Sequence, residues 1–219
     1  MTGDDDALRD TAETYEAAAE PYERAHRDRS VVAAQVERFV DAVPDGGRGW
    51  GADPSGPASR VLDAGCGPGW ETAAFADAGL DPVAIDLTAA FATRTAARVP
   101  AAGVARADMR VLPVAADRFD GLWACASFLH VPRGDAPGTL SEFARVLRPG
   151  GAFAFSVKRG EGRRVGDTYD GDRRQFTLYE PDELRGLLAD AGFGVVTLDV
   201  GSAEGDPDAW LTGLARLES

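Results

Sequence analysis

Three carboxylates, Asp63, Asp86 and Asp108, each stand at the end of a short apolar run, and the first opens a glycine-rich stretch, Asp63-Ala64-Gly65-Cys66-Gly67-Pro68-Gly69. Glycines let a backbone approach a ligand and adopt positive φ without a Cβ clash, so the stretch has the chemistry of a nucleotide cradle. It departs from a dinucleotide fingerprint, which needs a third glycine where Trp70 stands. An acid at the strand end is also unfavourable beside a pyrophosphate, and suits a ligand carrying a sulfonium and an ammonium. No Lys-Ser or Lys-Thr closes the loop, which excludes a Walker site. Asp86 could accept both hydroxyls of a ribose, and Asp108, followed by Met109, offers a carboxylate to an adenine amino group and a thioether beside its ring. Each acid alone is more often a strand-end or capping residue. Three at consecutive strand ends point to one adenosine site.

The elements needed to hold these residues follow from the hydrophobic pattern. Tyr15, Ala18, Ala19 and Tyr22 fall near one helical face, and Val32, Val36, Phe39, Val40 and Val43 repeat at helical spacing, giving one short and one longer helix. The stretch from Pro44 to Ser59 is rich in Gly, Pro, Asp and Ser and reads as an exposed loop. Strands are expected near 60–64, 82–85, 104–107, 119–127 and 152–157, alternating with helices near 71–78, 89–98 and 137–147. Thr88 suits the N-cap of the helix at 89–98, and Pro149-Gly150-Gly151 reads as a helix stop. Such alternation gives a parallel sheet covered by helices on both faces. After a helix at 181–191, strands at 194–200 and 209–217 are too closely joined for a parallel crossover and should pair antiparallel.

The segments VLDAGCGPGW, VAIDLT, RADMRVLP, FDGLWACASFLHVP, ARVLRPGGAFAFSV and EPDELRGLLADAGF together resemble the class I S-adenosylmethionine-dependent methyltransferases, over roughly Arg60 to Leu217. The resemblance implies an α/β, Rossmann-like methyltransferase fold with a seven-stranded, mostly parallel sheet in the order 3-2-1-4-5-7-6, the last strand antiparallel. It implies S-adenosylmethionine as methyl donor, S-adenosylhomocysteine as product, and no metal. Asp63, Gly65 and Gly67 would line the methionine portion, Asp86 the ribose, and Asp108 with Met109 the adenine, and Tyr22, Cys66, Leu87 and Ser127 are also taken as cofactor-binding. The Tyr15 to Tyr22 segment is similar to the helix that covers the cofactor in small-molecule members, with core packing as an equal reading. The whole chain, 1–219, then reads as one domain, with an N-terminal helical cap (1–45), a catalytic core (60–217) and a substrate-side insertion (159–176).

Methyl transfer from a sulfonium is an in-line displacement, so the protein supplies alignment, exclusion of water and, where needed, a base. The family places residues near the transferable methyl after the fourth strand, at Ser127-Phe128-Leu129-His130. His130 is the candidate catalytic base because its ordinary pKa is near neutrality, although a histidine that simply satisfies backbone groups at a strand end is the somewhat commoner case. Phe128 and His130 are taken as substrate-binding, together with Arg159, Arg164 and Arg174. Those arginines belong to six basic residues gathered between Lys158 and Arg174, where guanidinium forks could hold a carboxylate or phosphate, or simply pair with neighbouring acids.

The 219 residues carry 36 acidic and 23 basic side chains, a net charge of −13, with Lys158 as the sole lysine. Such a surface disfavours nucleic acid as a partner, although genome composition or salt adaptation would produce the same balance. The two cysteines lack metal or disulfide spacing, and no leader or membrane-spanning run is present, so a cytoplasmic protein is expected. The favoured function is methyl transfer to a small metabolite, with an anionic group as one reading. RNA or protein acceptors, a non-catalytic donor-binding module and, more weakly, an oxidoreductase remain as alternatives.

Overall fold

A computed structural model describes residues 3–44, 58–201 and 209–218. In chain order the elements are α1 (Gly3–Ala25), α2 (Ser30–Ala42), β1 (Arg60–Ala64), α3 (Trp70–Asp77), β2 (Asp81–Asp86), α4 (Ala89–Arg98), β3 (Gly103–Arg106), β4 (Phe119–Cys125), a 3-10 turn (Phe128–His130), α5 (Ala136–Val146), β5 (Leu147–Arg159), β6 (Arg163–Val165), β7 (Gln175–Tyr179), α6 (Pro181–Asp190), β8 (Phe193–Gly201) and β9 (Trp210–Leu217). Most of the loop expected after Pro44 (45–57), and the stretch joining the last two strands (202–208), lie outside the described residues.

β1 to β5 run parallel in the order β3-β2-β1-β4-β5, and β9 then pairs antiparallel with both β5 and β8. With β8 and β9 counted as sixth and seventh strands, this is the expected order. Two further strands bring the count to nine among the described residues, rather than seven. β6 and β7 form an antiparallel hairpin, and β7 joins the carboxyl end of β5 through Lys158↔Leu178 and Arg159↔Tyr179. The expected insertion at 159–176 is therefore a structured extension of the sheet.

The central strands are buried on both faces, so successive side chains enter different cores. Leu62, Leu122, Ala124, Phe153 and Phe155 face α5 and α6, where they meet Phe143, Leu140, Leu184 and Leu188. Val61, Trp123, Ala152 and Ala154 face the other way, against Phe39 of α2 and Phe75 of α3. Phe39, Phe75 and Trp123 pack with ring centroids 5.1 to 5.5 Å apart, a separation at which aromatic pairs add to simple area burial. The expected N-terminal cap thus divides: α2 enters a core layer through Phe39 and Ala42, and α1 packs against α4 and β7.

Two local expectations change. Thr88 occupies the N-cap of α4, but its hydroxyl donates to Asp86 Oδ1 (2.8 Å) and leaves the helix end without a side-chain cap. Pro149-Gly150-Gly151 lies within β5, where the β4 register slips between Phe119 and Gly121, while α5 has already ended at Val146.

Beside the packing of Ala18, Ala19, Tyr15 and Tyr22, α1 is held by charge. Its Asp10 and Glu13 meet Arg173 (3.0 and 2.8 Å), Glu23 meets Arg94 and Arg98 (2.5 Å each), and Asp5 meets Arg110 (3.3 Å). Glu16 also accepts from the Ala90 amide at the start of α4 (3.1 Å), where the helix dipole favours an anion. Much of the unusual acidity of the N-terminus is therefore spent on an arginine rim.

Candidate active site

The glycine loop leaves β1 and enters α3 under tight steric terms. Gly65 has φ +84°, and a Cβ there would lie 2.3 Å from the Ser127 Cβ. Ser127 is itself fixed by a 2.6 Å hydrogen bond from its hydroxyl to the Ala64 carbonyl. Although Trp70 replaces the third glycine of a dinucleotide fingerprint, Gly69 supplies the close helix approach, since a Cβ there would meet Thr95 of α4 at 2.8 Å. Thr95 in turn donates to the Gly67 carbonyl (2.8 Å) and contacts Cys66 Sγ (3.3 Å).

Two adjoining cavities open at the carboxyl ends of the strands. The inner one, of about 100 Å³, is walled by Leu8, Thr11, Ala12, Tyr15 and Tyr22 of α1 against Gly65, Gly67, Asp86, Leu87, Phe91, Asp108, Met109, Ser127 and His130. It thus brings together most of the residues expected to hold an adenosine. The outer one, of about 770 Å³, is lined by Arg29, Cys66, Trp70, Glu71, Lys158, Arg164, Arg174, Phe176 and Trp210 among others. Tyr15, Tyr22, Gly65, Gly67, Cys125 and Ala126 line both. Ala126 holds φ +51°, an uncommon conformation for a residue with a Cβ, at this shared boundary.

The three acids have different surroundings. Asp63 is fully buried, lines neither cavity, and accepts from Thr72 Oγ1 (2.5 Å), which ties α3 to β1. Burial pushes its carboxyl up to about 8. Asp86 accepts from the Thr88 amide and hydroxyl on Oδ1 and from the Gly67 amide on Oδ2 (3.0 Å). A carboxylate has about four lone-pair positions, so Asp86 has room for one ribose hydroxyl rather than two. Burial raises its pKa despite these donors. Asp108 faces the inner cavity with its carboxylate in the fork of Arg110 (Nη2–Oδ2 2.8 Å).

His130 sits between three elements. Its Nδ1 is 2.7 Å from the Gln175 carbonyl and its Nε2 is 2.9 Å from the Tyr15 hydroxyl. Burial lowers its pKa to about 4. Above pH 6.5 neither folded nor unfolded chain holds this proton. Between 6.5 and about 4 the unfolded chain binds it and the folded chain does not, so this contribution to stability is lost as pH falls. Chemical denaturation of His130→Gln across pH 4 to 7 should show a flatter decline than the parent; an unchanged slope would contradict the assignment.

Of the residues expected to bind an acceptor, Arg164 and Arg174 reach the outer cavity. Arg174 is almost fully committed, forked onto Asp172 (2.6 Å) with Nη1 3.3 Å from the Tyr15 hydroxyl. Arg159 lines neither cavity and pairs with Glu180 (3.2 Å). Phe128 is in the core, stacked on Tyr179 at 5.9 Å, because the 3-10 turn directs it under the sheet end. Arg29 and Glu71, which the sequence pattern does not single out, pair at 2.5 Å beside Trp70. Their long sequence separation concealed them, although the Trp-Glu pair directly after the loop was a usable signal. Among the described residues no group of three metal-ligating side chains occurs, and no helix is long and apolar enough to cross a membrane.

A methyltransferase-domain family pattern matches residues 61–151. A malonyl-[acyl-carrier protein] O-methyltransferase of Serratia marcescens is 31% identical over 179 residues, covering 80% of this chain and 67% of its own. One from Enterobacter lignolyticus is 37% identical over 100 residues, covering 45% of this chain, and the match spans only 39% of the relative's length. The fold is similar to that of a Burkholderia thailandensis 1,6-didemethyltoxoflavin-N1-methyltransferase solved with its substrate and S-adenosylhomocysteine: TM-score 0.77 and 21% identity over all of this chain and 92% of that one. The chain belongs to the class I S-adenosylmethionine-dependent methyltransferases.

Proposed function

We propose that the inner cavity holds S-adenosylmethionine and that the outer cavity holds a small acceptor to which the methyl group is transferred. The observation carrying this reading is one cavity walled at once by Gly65 and Gly67, Asp86, and Asp108 with Met109, the products of three consecutive strand ends. Open space faces Gly67, where a Cβ would meet nothing within 4 Å, so a ligand can lie against that backbone. The donor supplies an activated methyl group; the chain's residues bind, orient and exclude water. Asp86 would take a ribose hydroxyl, Asp108 the adenine amino group, and Leu87 and Met109 the ring faces.

The amino-acid end would extend into the outer cavity, where Arg29 takes its carboxylate and Glu71 its ammonium. Removing one charge-assisted bond of this kind costs about 1.5 kcal/mol or more, so Arg29→Gln should weaken S-adenosylhomocysteine binding about tenfold by calorimetry. An unchanged affinity would place that end elsewhere. The acceptor would be a small molecule with an anionic group directed to Lys158 and Arg164, which line the outer cavity. Calorimetry with S-adenosylmethionine, S-adenosylhomocysteine and NAD tests the donor, with binding of the first two and not the third expected. A labelled-methyl assay over a cell metabolite extract, with RNA and protein fractions beside it, tests the acceptor class.

A further inference from the structure

We infer that Tyr15 is the group that meets the acceptor's reacting atom, and that this atom must carry a hydrogen, as in a hydroxyl or N–H, rather than being a carboxylate oxygen. The inference rests on the methyl-transfer reading and adds to it a rule about the acceptor. A carbonyl can only accept, so the 2.7 Å contact with the Gln175 oxygen fixes a proton on His130 Nδ1. In the neutral ring Nε2 is then an acceptor, and the Tyr15 hydroxyl donates to it at 2.9 Å. Tyr15 has no second proton to offer. Its oxygen receives Arg174 Nη1 at 3.3 Å, and Arg174 is fixed by Asp172. What remains is lone-pair capacity at a residue lining both cavities, which welcomes a donor and repels an anionic oxygen.

The same chain gives the proton a way out. As the acceptor atom X loses its proton, that proton passes to the Tyr15 oxygen while Tyr15's own proton passes to His130 Nε2. The methyl group takes the proton's place on X, and its bonding pair to sulfur stays with the departing thioether. His130 also lines a separate cleft with Arg133, Arg163 and Gln175 on the far side of the turn, from which the proton reaches water. Burial keeps the imidazole neutral and the Tyr15 phenol, pushed up to about 12, protonated at neutral pH, so the relay starts in the required state. Tyr15 is thus a catalytic residue and His130 a positioning and proton-holding residue behind it.

The first test needs no acceptor: nitrogen-15 NMR of the free protein should find His130 as the Nδ1–H tautomer, and an Nε2–H tautomer overturns the inference. The second uses labelled S-adenosylmethionine and a metabolite extract. Tyr15→Phe, which keeps the ring packed on Phe91 and Tyr22, should lower label transfer about 100-fold while S-adenosylhomocysteine affinity stays within threefold. His130→Gln should lower transfer and remove the acid limb of its pH profile. Label in the parent's product should survive mild alkali; label released as methanol identifies a carboxyl ester and overturns the inference. Full transfer by Tyr15→Phe overturns it too. A parent that binds S-adenosylhomocysteine but labels nothing overturns the methyl-transfer reading itself, and this inference with it.

Discussion

Asp86→Ala is expected to lower the affinity for S-adenosylhomocysteine about 100-fold while leaving the protein folded. One hydrogen bond to a charged acceptor contributes about 1.5 to 3 kcal/mol, which converts to between about 10-fold and 150-fold. The upper end is favoured because Asp86 does more than meet the ligand. Its Oδ2 holds the Gly67 amide and its Oδ1 holds Thr88, so truncation also loosens the backbone against which the ligand lies. Asp86→Asn separates the two effects: its carbonyl oxygen can replace one acceptor but its amide cannot replace the other. An intermediate loss is expected. Calorimetry with unchanged binding in Asp86→Ala would remove the ribose assignment.

Gly65→Ala is expected to destabilise the fold by about 3 kcal/mol and to abolish measurable donor binding. A residue with a Cβ held at positive φ costs about 1 to 2 kcal/mol, and forcing one extra carbon into a packed site costs about 1 to 3. Both apply, because the new carbon would lie 2.3 Å from the Ser127 Cβ. Ser127→Gly in the same chain removes the clash but not the conformational strain, and should recover about half the loss. A melting temperature unchanged by Gly65→Ala would mean that the loop has another conformation.

The sheet was legible because its strands are short, apolar and separated by helix-length segments, so that period and punctuation agreed at β1 to β5. The antiparallel end was legible from connection length alone. β6 and β7 were not: Arg163-Arg164-Val165 has neither apolar alternation nor length, and its pairing with β7 is a tertiary outcome. The meeting of Asp86 and Asp108 in one cavity was legible, since strand ends set their position. Asp63 shows where such reasoning fails. Its place in the sequence pattern is shared with ligand-facing acids, yet the turn aims its side chain at Thr72, inside the protein. His130 was found by residue type, but its partner, 115 residues distant, is on a helix whose docking no local pattern specifies.

α1 supplies a whole wall of the inner cavity through Leu8, Thr11, Ala12, Tyr15 and Tyr22, and its hold on the rim combines ion pairs of its acids with arginines, amide hydrogen bonds to Thr11 and Thr14, and the packing of Tyr15 and Tyr22 on Phe91. On the methyl-donor reading, exchange of spent for fresh donor requires that wall to lift. Dissolved ions weaken the ion pairs among these contacts in the same sense, because α1 is the anionic partner in each. On that reading the ionic part of the wall's hold, and with it the ease of donor exchange, would vary with the ionic strength of the surroundings.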